Sequence, residues 1–201
     1  MLFEILSNCI LPLRLLVHLL CPTTKMSVYS VSMSTEHSFS KSPTSYIYLL
    51  SNLGVQGDVH CSPSPSPTNL RQVSLIASEL LADLAKPSSK YPSFSLASGA
   101  LGENITTSGV DLISLSEGTK LHFGDHEGHA IVRVTGLRDP KKRLGEWPQG
   151  LLERCAVKDK KGKVTGRKVG VMGAVEQDGY VQPGYVIFVE KPKYHRPLGN
   201  V

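Results

Sequence analysis

The sequence predicts a mainly β domain, a barrel or sandwich with a few short helices, and three observations carry the prediction. Short runs of strand composition recur along the chain, turn signals separate them at close intervals, and only two stretches have helical character. At 201 residues the chain matches one ordinary domain, with no room for a second full core. Hydrophobic residues make up 40% and charged residues 19%, which is globular rather than disordered or fibrous composition.

Residues 27–32 (SVYSVS) alternate and read as a first strand. Residues 46–50 (YIYLL) read as a second. The segment GVQGDVH over 54–60 is turn chemistry, its two glycines free to take positive φ. In residues 61–68 (CSPSPSPT) three prolines forbid both a helix and a central strand, so an exposed extended loop is expected. A strand over 71–76 leads into a helix over 77–86, with Leu80, Leu81 and Leu84 on one face and Pro87 as its stop. Residues 88–100 are rich in Ser and Pro and read as loop. Short strands are expected at 112–115, 120–123 and 130–134, and a helix at 150–155. The last third is hairpin-like. Turns at 159–162, 177–179 and 182–184 set off strand runs at 169–175 and 185–190. No internal repeat is visible.

The run over 10–20 (ILPLRLLVHLL) is the most apolar in the chain, but it is about half the ~20 residues a spanning helix needs. It also contains Pro12, Arg14 and His18. Glu4 before it and Arg14 within it spoil a signal peptide, and a mitochondrial presequence would be richer in Arg and Ser. Met26 and Met33 are alternative starts. The chain therefore divides into a poorly structured extension, or an over-extended reading frame, at 1–33 and a domain at 34–201. A cytoplasmic location without a membrane span is expected, and mitochondrial targeting by the extension stays open.

The cysteines are Cys9, Cys21, Cys61 and Cys155. None forms a CxxC pair and no His/Cys spacing fits a zinc finger, so a disulfide framework is not expected. The net charge of +5 is concentrated: residues 138–168 hold eleven Lys or Arg against four Asp or Glu. The basic run over 158–163 has the composition of a solvated hairpin tip. Nucleic-acid binding would need interleaved aromatics, and only Trp147 is near. There is no GxSxG, P-loop, HExxH or zinc signature.

Five segments stand out: GDVH at 57–60, NLRQ at 69–72, LGENITT at 101–107, TGLR at 135–138 and GVMG at 170–173. Singly, each is a turn with a capping side chain. In this order they resemble the MOSC family, named for the C-terminal domain of molybdenum cofactor sulfurases, in its stand-alone form. "LGENITTSGVDL" is the most telling phrase, followed by "GVQGDVH", "NLRQV" and "VTGLRDP", and the likeness runs from about Val28 to Leu198.

The resemblance implies a β-barrel with a few helices, and binding of the molybdenum cofactor (molybdopterin), with sulfur transfer to molybdenum or reduction of N-hydroxylated substrates as family activities. A separate sulfur or electron donor protein would be a partner. Pyridoxal phosphate belongs to another domain of larger relatives and is not expected here. A phosphate-bearing pterin needs cationic donors and Gly-rich turns. Arg71 and Arg138 are the phosphate candidates, since a guanidinium is a planar fork. Asn104 and Gln72 are candidates for the pterin edge. Gly57, Asp58 and His60 form a turn that would orient donors or relay a proton, and Glu103 is expected to be structural.

Two features depart from the family pattern. The arginine motif normally runs on to a cysteine after the proline, and here Lys141 stands in that position. A thiolate is a soft ligand and sulfur carrier, and an ammonium is neither. Cys61 is the better substitute ligand, while Cys155 reads as a buried small hydrophobe. The loop after His60 also lacks the family's His and Arg residues. Three readings follow: a cofactor-binding module, a reductase or sulfur-transfer enzyme, and a degenerate, non-catalytic scaffold.

Overall fold

The computed structural model describes residues 25–126, 128–138, 149–167 and 169–201. The strands are β1 (Ser27–Met33), β2 (Ser42–Thr44), β3 (Ile47–Leu50), β4 (Gly54–Val55), β5 (Val73–Ala77), β6 (Ile105–Ser108) and β7 (Lys120–Phe123). They continue with β8 (Ala130–Leu137), β9 (Ala156–Lys158), β10 (Val164–Arg167), β11 (Val171–Gln177), β12 (Gly179–Val181) and β13 (Ile187–Glu190). Among the described residues two α-helices, α1 (Ser78–Ala85) and α2 (Leu151–Cys155), accompany them. The fold is mainly β, as the short apolar runs predicted.

Eight strands form one sheet in the order β13-β7-β8-β11-β5-β6-β1-β2, and β12-β3-β4 form a second of three. β5 sits inside the large sheet and buries all five residues, which explains its unbroken apolar sequence. It pairs in parallel with β6 through the crossover that contains α1, whereas its pairing with β11 is antiparallel. In β8 the alternation is plain: Ala130, Val132 and Val134 are buried, Ile131 and Arg133 only partly so. α1 turns Leu81 and Leu84 inward and ends before Pro87.

The strand ladder is open, with β13 and β2 at its edges, so the expected barrel is not shown by the pairing. The start of β1 nevertheless reaches the segment before β13 through a single bridge, Ser27 to Val186, and the bonds Val28 N→Tyr185 O and Gly184 N→Val28 O, both 2.8 Å. β1 lies between β6 and β2, so the sheet takes in residues 27–33, which the division of the sequence had assigned to the extension. Residues 1–24 lie outside the described residues.

One expected strand is absent. Residues 112–115 form a 3-10 turn at Leu112–Ser114, because Ser114 N–H bonds back to Asp111 O (3.3 Å) and its hydroxyl to the same oxygen (3.0 Å). These local bonds compete with a ladder. The hairpin tip at 159–162 is present between β9 and β10, where Asp159 Oδ1 accepts the N–H groups of Lys161 and Lys163, both at 2.9 Å.

The core has two parts. The larger lies within the sheets and includes Leu49, Leu75, Ile105, Leu121, Phe123 and Val132. The smaller lies between α1, α2 and the far face of β5, and holds Ile76, Leu81, Leu84, Leu151, Cys155 and Val169. Among the described residues no helix is long and apolar enough to cross a membrane.

Candidate functional site

The two arginines and the GDVH turn converge on one small cleft of about 110 Å³, lined by Lys41, His60, Arg71, Gln72, Ser74, Gly102, Asn104, Arg138 and Met172. It lies where the ends of β5 and β8 and the segment before β6 meet. Gly57, at φ +78°, allows the turn that points Asp58 inward.

Asp58 is the hub. Its Oδ2 accepts from Lys41 Nζ at 2.6 Å, and from Asn104 Nδ2 and Ser34 N–H at 3.2 Å each. Its Oδ1 accepts the His60 N–H at 3.0 Å and faces His60 Nδ1 at 3.2 Å. Burial alone pushes this carboxyl up, but the hydrogen bonds from His60 and Lys41 outweigh it and hold it well below the ordinary carboxylate range. Lys41 is drawn down by burial, partly offset by Asp58, with Arg138 adding to the lowering. The side chains of Lys41 and Asp58 are 6% and 2% exposed, a buried ion pair. That of His60 is 55% exposed and stands at the lip, edge-on to His37 with ring centres 5.5 Å apart.

Arg138 follows β8 directly and its N–H bonds Gly170 O at 3.1 Å. Its guanidinium passes beside Gly102, where an added Cβ would lie 3.3 Å from Nη2 and 2.6 Å from Phe39 O. Burial lowers its pKa from the usual value, with Glu103 opposing and Arg71 reinforcing the shift, and an arginine still stays protonated. Among the described residues Nη1 of Arg138 is buried and has no hydrogen-bond partner. Arg71 is exposed, bonds the Val201 carbonyl through Nη1, and takes Asn69 Oδ1 on its N–H at 2.9 Å.

The amides nominated for the pterin edge are already engaged. Gln72 Nε2 donates to Ser66 O (3.2 Å) and Asn69 O (3.0 Å), and its Oε1 accepts Val175 N–H (2.8 Å). Asn104 Oδ1 accepts from Ser74 Oγ at 3.1 Å, and its Nδ2 donates to Ser32 O at 3.3 Å as well as to Asp58. Both brace the walls. Glu103 is fully buried, accepts Gly99 N–H (2.5 Å), Leu101 N–H (3.2 Å) and Thr106 Oγ1 (3.3 Å), and is structural as expected.

The two described cysteines, Cys61 and Cys155, stand apart from the cleft. Cys61 adjoins His60 in sequence but does not line it, and burial followed by the Asp58 charge raises its thiol pKa. Cys155 sits in the smaller core, where burial pushes it up to about 12. Lys141 lies outside the described residues. Among the described residues no three His, Cys, Asp or Glu side chains are grouped to hold a metal ion. Sequence reasoning missed Lys41 and Ser74. Lys41 sits in a Ser-rich stretch with no motif around it, and only the fold brings it to Asp58.

The family model for the MOSC domain matches residues 56–188, about two thirds of the chain. The chain belongs to the MOSC domain family. No curated protein matches. Among solved structures, the YuaD protein from Bacillus subtilis is similar over 85% of this chain and 100% of its own, at 20% identity and a TM-score of 0.62. YiiM from Geobacillus stearothermophilus is similar over 83% of this chain and 75% of its own, at 18% identity and a TM-score of 0.53. At these identities the likeness concerns the fold of the MOSC domain.

Proposed function

We propose that this MOSC domain binds a phosphate-bearing pterin, the molybdenum cofactor or a precursor, through the cleft of Lys41, Arg71 and Arg138. The observation that carries the reading is Arg138. A buried guanidinium with an orphaned Nη1 beside a second arginine is costly unless an acceptor arrives, and an oxyanion is the acceptor it matches. Gly102 keeps that guanidinium approachable, since a side chain there would press on it.

The volume sets a limit. About 110 Å³ accommodates a phosphate group, not a whole pterin, so the anionic end would be held here with the rest directed outward. When bound, the cofactor would supply a molybdenum centre for redox or sulfur chemistry. The described residues fit its phosphate and offer its metal no thiolate in the cleft: Cys61 lies outside the lining with its thiol pKa raised by burial, and the one sulfur in the lining is the Met172 thioether, a weaker donor. That observation favours binding without turnover as the second reading, a scaffold rather than a reductase or sulfur carrier. His60, half in solvent and oriented by Asp58, is the group placed to exchange a proton with a ligand at the lip.

The test uses protein purified from cells with an intact cofactor supply, assayed for molybdenum and for the fluorescence of released, oxidised pterin. Arg138→Ala should weaken cofactor binding roughly ten- to a hundredfold, the equivalent of losing a charge-assisted bond of about 1.5–3 kcal/mol. Background molybdenum and pterin in a folded sample, or unchanged binding by Arg138→Ala, overturns the proposal. Loss of binding with activity absent from the wild type supports the scaffold reading.

A further inference from the structure

A second group of polar side chains lies at the other end of β8 from the arginine cleft. His129 immediately precedes β8 and Arg138 immediately follows it, so nine residue steps separate them, about 30 Å at strand rise. His122 on β7, His129 and Glu190 on β13 line an open cleft of about 660 Å³ with Asp125, His126 and Gln177.

The hydrogen bonding of the two imidazoles is over-constrained. His122 Nε2 lies 2.9 Å from Glu190 Oε2, and His129 Nδ1 lies 2.7 Å from the His126 carbonyl oxygen. A carboxylate and a carbonyl only accept, so each of these outer nitrogens must carry a hydrogen. A neutral imidazole has one N–H. That leaves His122 Nδ1 and His129 Nε2 as two lone pairs aimed at each other across 2.9 Å. Two lone pairs at that distance repel unless a positive charge lies between them.

The geometry points to a divalent transition-metal site bridged by His122 Nδ1 and His129 Nε2. Imidazole nitrogen suits zinc, copper and nickel. Metal–nitrogen bonds of about 2.0–2.1 Å at a tetrahedral angle set the nitrogens about 3.3 Å apart with both lone pairs turned to a point off the line between them. The rings now face each other in line, with centres 5.2 Å apart, so taking up the metal opens the pair by a few tenths of an ångström and turns each ring. Each ring already has the outer partner that metal-bound histidines show, a carboxylate on one and a backbone carbonyl on the other, which fixes both tautomers with the inner nitrogen free. Among the described residues no third His, Cys, Asp or Glu completes a metal-binding group. The remaining positions face the cleft and would be taken by water or by a ligand entering it, so the site is of the open kind. Gln177 Nε2 donates to the His129 carbonyl at 2.7 Å and steadies the same corner.

The experiment is a titration of the purified full chain with Zn2+ alone by calorimetry, and with Cu2+ alone by electron paramagnetic resonance. A Cys9→Ser/Cys21→Ser/Cys61→Ser background leaves the buried Cys155 as the remaining thiol. One equivalent should bind, the copper spectrum should show coupling to two nitrogens, and His122→Ala or His129→Ala should each weaken binding at least tenfold. Glu190→Gln should weaken it by a smaller factor while leaving two-nitrogen coupling. Circular dichroism of each variant establishes that it folds, and His129→Gln is the substitute if His129→Ala does not. An equivalent that binds with the same affinity to the His122→Ala/His129→Ala protein, or no binding by the folded parent at 100-fold molar excess of metal, overturns the inference and leaves a shared proton as the charge between the rings.

Discussion

Replacing Asp58 by Ala should be among the most damaging polar substitutions in this domain. The carboxylate closes bonds from Lys41, Asn104, Ser34 and His60, and it is the ion-pair partner of a lysine whose side chain is 6% exposed. Removing one partner of such a pair leaves an uncompensated buried charge, at about 3–5 kcal/mol. For a chain of this size each kcal/mol lowers Tm by about 2–4 °C, so a fall of roughly 6–20 °C is expected. Replacing both partners, as Lys41→Met/Asp58→Leu, removes the stranded ammonium and should recover at least about 1 kcal/mol of that loss. Full recovery is not expected, because Ser34 N–H keeps no acceptor on Asp58. The pH dependence has a definite sign. The folded carboxyl is held below its unfolded value of about 3.9, so its contribution is complete at neutral pH and is lost as pH falls below about 4. The gap between wild type and Asp58→Ala should then narrow by about 1.4 kcal/mol per pH unit. Urea unfolding followed by circular dichroism at pH 7 and pH 3 measures both effects. A single-variant loss under 1 kcal/mol, or a double variant no more stable than Asp58→Ala, would refute the reasoning.

Two further outcomes can be measured directly. Gly170→Ala should cost about 3 kcal/mol or more, since φ is +95° and the new Cβ would fall 2.1 Å from the Leu75 carbonyl oxygen. Gly162→Ala, also at positive φ but with nothing within 4 Å, should cost only about 1–2 kcal/mol of backbone strain; equal losses at the two glycines in thermal melts would contradict the steric argument. In a Cys9→Ser/Cys21→Ser background at pH 8, iodoacetamide should modify Cys61 slowly and Cys155 only after urea, as read by peptide mass spectrometry. Modification of native Cys155 at the rate of a free thiol would show that the smaller core is open.

The residues of the cleft were legible in part because motif residues sit beside backbone features that sequence reports. Arg71, Gln72, Asn104 and Arg138 belong to phrases around turns and strand ends, and all four line one cleft. Their roles were less legible than their location. Whether an amide faces a ligand or a neighbouring carbonyl depends on atoms from distant segments, and for Gln72 those are Ser66, Asn69 and Val175. Cys61 shows the reverse: next to His60 in sequence, it is outside the lining of the cleft that His60 borders.

Sequence by itself determined the mainly β class, the helix stopped by Pro87, the hairpin tip at 159–162 and the family, because periodicity, proline and turn chemistry act within a few residues. Tertiary structure alone decided that the first strand lies inside the sheet between β6 and β2, that 112–115 curl into a 3-10 turn, and that β5 and β6 pair in parallel. It alone joined Lys41 to Asp58 and set His122 against His129. Such pairings depend on which strands become neighbours. That choice is made by burying the whole apolar surface together, and no local stretch of sequence carries it.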